Sequence, residues 1–325
     1  MSGRLASYAL NRPEGLLIWT IAVGTVLRLI AAHVIGLGYN EAYFVSMAGH
    51  LQLSYYDHPP LALWLVWATV KVTGSETAFV VRAPFIAMFV GTTWLVYRLG
   101  TILYDRRVGG ISALLLNLSP VFTFGVGATL LPDGPLMPCL LAGSICIARL
   151  DRGAGSNRLL LWCMAGLWFG LALLSKYTAV LVLAGLFVFA LTSPERRRWF
   201  REPGLYLAGA VALLAFSPVL IWNWQNDWAS FGFQGARAVA EVDVKWAAPL
   251  ENLLGQAAWV GPWIWIPMMY AYGRRLSRGP RDDSTWQAYC AGTVPILFFT
   301  IVTIWEPETR AHYHWAAPGY LMFFP

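Results

Sequence analysis

LLIWTIAVGTVLRLIAAHVI, Leu16 to Ile35, runs almost directly into GYNEAYFVSMAGHLQLSYYDHPPLAL, Gly38 to Leu63. The first stretch has the length and apolarity of a helix crossing a bilayer core. The second concentrates Asn40, Glu41, Asp57 and His58 with five aromatics and no Lys or Arg. Polar groups beside a hydrophobic span are costly unless they face water, a partner or a substrate. The junction therefore reads as an all-α, polytopic transmembrane bundle whose first loop, residues 36–60, is an active site at a membrane surface.

Composition extends that reading to the whole chain. Of 325 residues, 58% are hydrophobic and only 12% charged, with mean hydropathy +0.54, where a soluble domain carries about 25% charged residues. The 17 Trp and 14 Tyr suit two interfacial belts. A net charge of +6 would raise nucleic acid as a partner in a soluble protein. Here the basic residues sit in short loops between apolar runs, so they report topology and membrane lipid, and no nucleic acid. Cys139, Cys146, Cys163 and Cys290 lie in apolar segments without a CxxC, which argues against a disulfide framework or a cysteine metal site. Arg4 and Arg12 precede a run too long for a signal peptide, so the first span reads as uncleaved.

About nine spans can be drawn: Leu16 to Ile35, Phe79 to Leu99, Gly110 to Ala128, Leu136 to Ala148, Leu159 to Leu174, Ala179 to Leu191, Leu205 to Trp222, Leu250 to Tyr272 and Trp286 to Trp305. Residues 61–73 are too few to cross and read as an interfacial or re-entrant helix. Residues 223–249 form an outer loop. The chain reads as a single membrane domain, residues 1–325. The apolar run from Ala316 to Pro325 is too short to cross, and a C-terminal part is expected beyond it.

With the N-terminus in the cytoplasm, sixteen of the 23 basic residues fall in cytoplasmic segments, among them Arg106, Arg107, the Arg196-Arg197-Arg198 run, Arg274 and Arg275. Lys71, Arg82, Lys176, Arg237, Lys245 and Arg310 fall outside, and Arg28 lies within the first span. This is the positive-inside bias, and it requires that Leu61 to Val72 not cross. The polar first loop, Asp133, Lys176, the 223–249 loop and the tail from Glu306 to Trp315 then share the extracytoplasmic side. The cytoplasmic loops hold no phosphate-binding glycine loop, so no nucleotide is expected.

Glu41 and Asp57 are candidates for acid–base work, because desolvation at an apolar surface raises a carboxyl pKa; the plain alternative is solvated loop charge. His58 is held extended by the proline after it and could orient a phosphate, although a lone histidine is more often structural. Asp57 and His58 are also the candidates for a divalent metal pair, a weak signal from adjacency alone. Asp133, between Pro132 and Gly134, is either a turn residue or a carboxylate facing the same chamber. Lys176 and Arg82 either snorkel or bind a lipid phosphate. Arg28 lies deeper and calls for an internal partner. Trp222 to Trp228 reads as a belt anchor with sugar stacking as the alternative, and His312 and His314 as possible neighbours of the chamber.

Five motifs in order, Asn40-Glu41-Ala42-Tyr43, Tyr56-Asp57-His58-Pro59-Pro60-Leu61, Leu131-Pro132-Asp133-Gly134-Pro135-Leu136, Ser175-Lys176-Tyr177-Thr178 and Pro218-Val219-Leu220-Ile221-Trp222-Asn223, resemble the bacterial branch of the dolichyl-phosphate-mannose–protein mannosyltransferase superfamily, which includes lipid A aminoarabinose transferases and related lipopolysaccharide sugar transferases. The resemblance implies a C-type glycosyltransferase architecture. It also implies an inverting transferase in the bacterial inner (plasma) membrane, taking a sugar from a polyprenyl-phosphate donor to an envelope acceptor: lipid A, lipopolysaccharide, polysaccharide or protein. The family opens its first loop with Asp-Glu, where this chain has Asn40-Glu41. An amide cannot accept the proton, so that role is expected to pass to Asp57, with Glu41 as orienter or second carboxylate. Two other readings stand beside this one: a transporter of lipid-linked or small polar substrates, and a non-catalytic relative that only binds the lipid.

Overall fold

The computed structural model describes residues 12–153, 157–238, 244–280, 283–305 and 312–325. Within them the chain is helical, with no strand. It begins with α1 (Pro13–Val34), which starts on a proline with Glu14 in its first turn, both favourable at a helix N-terminus. The short α2 (Tyr39–Ala48) and α3 (Leu61–Thr73) follow, then the long α4 (Ala78–Leu103) and α5 (Arg106–Leu118). Asp105 caps α5 by accepting from the Val108 amide at 2.9 Å. Next come α6 (Asp133–Asp151), α7 (Arg158–Ser175), α8 (Ala179–Thr192) and α9 (Pro203–Gln225), then α10 (Ala229–Ala238), α11 (Ala248–Val260), α12 (Pro262–Leu276), α13 (Trp286–Val302) and α14 (Ala317–Phe323).

Helix α6 is the centre of the bundle: 89% of its apolar window is buried, against 22% for α1 and 28% for α9 at the rim. It packs between α4 and α7, and α7 packs on α9. The α7–α9 contact is close because Gly166 and Gly170 face it. A Cβ at Gly166 would overlap the Ala208 backbone, and one at Gly170 would come within 2.7 Å of the Ala212 carbonyl. Small residues four apart are how helices approach closely in lipid.

Among the described residues five helices, α1, α4, α6, α7 and α9, are singly long and apolar enough to cross a membrane. A sixth candidate joins α8 to the Pro194–Arg201 turn through a bend of 111°. That turn carries four arginines and cannot continue a span, so α8 ends at Thr192. The nine-span drawing is corrected at two places. Gly110 to Ala128 is not one helix: α5 stops at Leu118, Pro120 cannot donate to a helix, and a π-helical turn occupies Val121–Val126. Leu250 to Tyr272 breaks at Gly261, whose φ of 99° suits glycine, and Pro262. The two breaks meet, and Ser119 Oγ donates to the carbonyl of Val260 at 2.7 Å. A carbonyl freed by a broken helix is thereby satisfied inside the protein, as lipid requires.

The outer and inner segments drawn from the sequence sort to two ends. At one end Arg106 meets Glu14, Arg152 meets the Leu103 carbonyl, Arg158 meets Glu202, and Arg196 meets Asp151. At the other gather the first loop, Asp133, Lys176 and the segment after α9. Helix α3 starts beside the first loop, where Trp64 Nε1 donates to the Gln52 carbonyl. It ends at Gly74, four residues before α4. Both ends of α3 therefore adjoin the same end of the bundle. Arg4, Arg281, Arg310 and Glu306 lie outside the described residues, as do the Arg237 side chain and residues 239–243 of the outer loop.

Candidate active site

Helix α2 brings the first loop's chemistry together. Tyr43 is one turn beyond Asn40, on the same helix face. Its hydroxyl donates to Asp57 Oδ2 at 2.8 Å. His58 Nδ1 lies 3.0 Å from the same oxygen, at ion-pair distance but off the hydrogen-bond line. The His58 ring packs edge-on to Phe44, 5.1 Å between centroids, and Gln234 of α10 donates to the Asp57 carbonyl at 2.8 Å. Burial opposes ionisation of Asp57, but His58 and Tyr43 outweigh it and hold the carboxyl below its ordinary range. Burial and the Asp57 charge push the Tyr43 hydroxyl up to about 12. At neutral pH the cluster is thus a carboxylate held by a phenol and an imidazole. Asn40 is exposed one turn away.

Glu41 behaves differently from its neighbour: it is one half of an internal ion pair. It is 4% exposed. Arg82 grips it with Nε on Oε1 at 2.7 Å and Nη2 on Oε2 at 2.5 Å. The Leu130 amide donates to Oε1 and the Gly38 amide to Oε2, each at 2.9 Å. Burial alone would raise its pKa, but the guanidinium and the two amides prevail and lower it. Four donors leave this carboxylate no capacity for a substrate proton. Arg82 is occupied to the same degree: it also donates to the carbonyls of Ile35 and Gly36 at 2.7 and 2.8 Å. Arg82, expected as a lipid-phosphate ligand, thus makes these bonds with protein groups. Together the pair pins the end of α1, the start of α2, the start of α4 and the segment before α6.

Asp133 opens α6 and is 3% exposed. Lys176 Nζ reaches both its oxygens, at 3.1 and 2.9 Å. Asp133 is therefore a partner of Lys176 and not a free carboxylate. The ammonium has three donors, its side chain is 15% exposed, and two of its bonds are accounted for. His314, from the tail, completes this second cluster. Burial, with Lys176 beside it, pushes its imidazole down to about 4 against the smaller opposing effect of Asp133. Tyr177 links the two clusters. Its hydroxyl shares a hydrogen bond of 2.6 Å with Ser230. Burial raises its pKa, the nearby Asp57 charge adding to this, against hydrogen bonds from Ser230, Ser54 and Asn223.

Among the described residues no group of three His, Cys, Asp or Glu side chains gathers as metal ligands. Asp57 and His58 face each other, and Tyr43 takes part of the carboxylate, so they offer a metal at most a poor pair. The tryptophan cluster straddles the end of α9. Trp222 Nε1 donates to Gln52 Oε1 at 2.9 Å, tying α9 to the first loop. The sequence reading missed Tyr43, Gln52, Ser230 and Gln234. Of these only Tyr43 carried a signal, its i, i+3 spacing from Asn40.

Similarity to known proteins bears on this geometry. The lipid A galacturonosyltransferase RgtD of Rhizobium johnstonii is 26% identical over 287 residues, which are 87% of this chain and 58% of that protein. The undecaprenyl phosphate-alpha-4-amino-4-deoxy-L-arabinose arabinosyl transferase of Erwinia tasmaniensis is 23% identical over 269 residues, 77% of this chain and 46% of that protein. The chain thus spans about half the length of such relatives. The crystal structure of ArnT from Cupriavidus metallidurans bound to undecaprenyl phosphate superposes with a TM-score of 0.72 at 16% identity, over 95% of this chain and 59% of that one. That likeness establishes the C-type glycosyltransferase architecture. The family model described as dolichyl-phosphate-mannose-protein mannosyltransferase matches residues 57–222, just over half of the chain and the part that carries Asp57, His58, Asp133 and Lys176, and the chain belongs to that family.

Proposed function

We propose that this chain is a membrane glycosyltransferase that moves a sugar from a polyprenyl-phosphate donor to an envelope acceptor, of the lipid A, lipopolysaccharide, polysaccharide or protein class. It works on the extracytoplasmic face of the bacterial plasma membrane. The observation that carries this reading is the Tyr43–Asp57–His58 cluster at the same bundle end as Lys176–Asp133–His314: a proton acceptor and a cation, at the end away from the arginine-rich segments.

In this reading the acceptor hydroxyl lies between Asn40 and Asp57. Asn40 donates to it or orients it. Asp57, ionised at neutral pH, takes its proton, with His58 beside it to share the charge. The acceptor oxygen forms its bond to the anomeric carbon as the bond from that carbon to the phosphate oxygen breaks. A single displacement inverts the anomeric configuration. The leaving polyprenyl phosphate gains negative charge, which the remaining Lys176 donor meets; Asp133 keeps the ammonium oriented. Glu41 and Arg82 act one step back, by fixing α2 so that Tyr43 and Asn40 stay in place. Helix α3 lies in the interface.

The paired helix breaks are a feature of transporters. Here they meet backbone to side chain in a dry contact, with Ser119 fully buried and Val260 1% exposed, rather than open a polar chamber. The test is incubation of the purified protein with labelled polyprenyl-phosphate sugar and membrane extract. Transfer of label to an envelope component supports the reading. Binding without transfer makes the chain a lipid-binding relative, and uptake of substrate into sealed vesicles makes it a transporter.

A further inference from the structure

Arg28 sits six residues before the end of α1, about 9 Å below it at 1.5 Å per residue. It is 5% exposed. Its Nε and Nη2 have no hydrogen-bond partner, and among the described residues no carboxylate pairs with it. Its one described interaction is with the Phe89 ring, 4.2 Å from the guanidinium carbon to the centroid. The other two buried or half-buried cations at this end, Arg82 and Lys176, are matched to Glu41 and Asp133. Arg28 has been given no such match.

The unpartnered atoms are a specific pair, both buried. Nε–H and the adjacent Nη2–H point the same way and form the edge with which an arginine takes two oxygens at once. Arg82 holds Glu41 by this same edge. The guanidinium packs against two glycine backbones and the Phe89 ring, and Asn117 Oδ1 lies on the same side of Gly24 as Nη1. A Cβ at Gly127 would come within 2.7 Å of Nε, and one at Gly24 within 2.6 Å of Nη1. Gly127 follows the break after α5, where the chain leaves regular helix. Most of α1 faces outward, so this cation lies one helix away from the lipid. A buried charge without a partner is expensive in such a place.

We propose that Arg28 is an anion-binding residue, taking a phosphate group two oxygens at a time in the outer half of the bundle, where α1, α4 and α5 meet beside the break after Leu118. The phosphate belongs to a membrane lipid or is free in solution, and the two sources separate experimentally. This inference does not depend on the transferase reading: a chain that transfers no sugar would still bind the anion at Arg28.

The test counts bound phosphate by native mass spectrometry and follows thermal unfolding, with the full chain in detergent. The probes are undecaprenyl phosphate, dioleoyl phosphatidate and inorganic phosphate, and the proteins are the parent, Arg28→Met and Arg28→Lys. The expected result is one fewer phosphate-bearing molecule retained by Arg28→Met, a ten- to hundredfold weaker stabilisation by the probe at that step, and partial recovery in Arg28→Lys, which keeps the charge without the fork. Without probe, Arg28→Met is expected to melt at or above the parent, because an unmatched buried cation is gone. Retention of the lipid probes alone assigns the site to a lipid, and competition by inorganic phosphate assigns it to the free ion. Equal retention by parent and Arg28→Met overturns the proposal. If Arg28→Met does not fold, Arg28→Lys decides: a folded Arg28→Lys that retains every probe as tightly as the parent overturns it as well.

Discussion

Separating Glu41 from Arg82 should unfold the protein rather than merely slow it. Each side chain is about 5% exposed, and the pair is joined by two charge-assisted bonds. In Glu41→Gln, Arg82 keeps its charge with no counter-charge, meeting one amide oxygen in place of the carboxylate besides the Ile35 and Gly36 carbonyls. In Arg82→Met, Glu41 keeps two amides and loses its counter-charge. Removing one member of a buried ion pair costs about 3–5 kcal/mol, while replacing both by apolar residues of similar volume costs far less. The double variant Glu41→Leu/Arg82→Met should therefore lose less than the two single losses added, by about 2 kcal/mol or more. The pH dependence has a definite sign. The folded pKa of Glu41 is below its ordinary value of 4.5, so its contribution is present above that value and disappears as pH falls through the folded one. The advantage of the parent over Glu41→Gln should shrink accordingly in acid. Thermal unfolding in detergent, followed by tryptophan fluorescence, measures all four proteins. If Arg82→Met melts with the parent and loses only donor affinity, Arg82 is a phosphate ligand and this reasoning is refuted.

Other expectations rest on the same geometry. Asn40→Asp adds a carboxylate one turn from Tyr43 and should raise the transfer rate; an unchanged or lower rate means position 40 is not beside the reacting hydroxyl. Lys176→Met should weaken binding of undecaprenyl phosphate about tenfold or more, and an unchanged affinity returns Lys176 to a purely structural partner of Asp133. His314 is pushed down to about 4 from 6.5, so the unfolded chain binds more protons between those values and stability should fall by up to about 3 kcal/mol as pH drops from 6.5 to 4; His314→Phe should flatten that slope, and an unaltered slope assigns it to another group. A cysteine at Ser46, exposed on α2, should react with an impermeant thiol reagent in cells whose outer membrane is permeabilised, whereas labelling only after lysis places this end in the cytoplasm.

Hydropathy alone located nearly every helix here, because a bilayer demands long apolar runs and the loops between them are charged. It did not locate the breaks. Pro120 and Gly261 each interrupt a run whose average hydropathy stays high, and what stabilises each break is the other, 141 residues away along the Ser119–Val260 bond. The candidate site was legible as a set of residues on one side, from arginine counting, but not as a set of pairs. Glu41 and Asp57 look equivalent in sequence. One is saturated by Arg82, 41 positions on, and the other is held by Tyr43, 14 positions back. Asp133 read equally well as a turn residue or a chamber carboxylate, because Lys176, its partner, lies across the α6–α7 hairpin. Arg28 was legible as a cation in need of a partner, and the structure leaves that need standing.

In the proposed reading, sugar transfer turns on Asp57. The most direct measurement is the single-turnover rate of sugar transfer from polyprenyl phosphate by the parent and by Asp57→Asn, with both proteins shown to melt alike. Loss of a positioned proton acceptor should lower the rate about 10²–10⁴-fold while leaving donor binding near its parental value. A folded Asp57→Asn protein that transfers sugar at the parental rate would contradict the role given to Asp57 and, with it, the proposed chemistry.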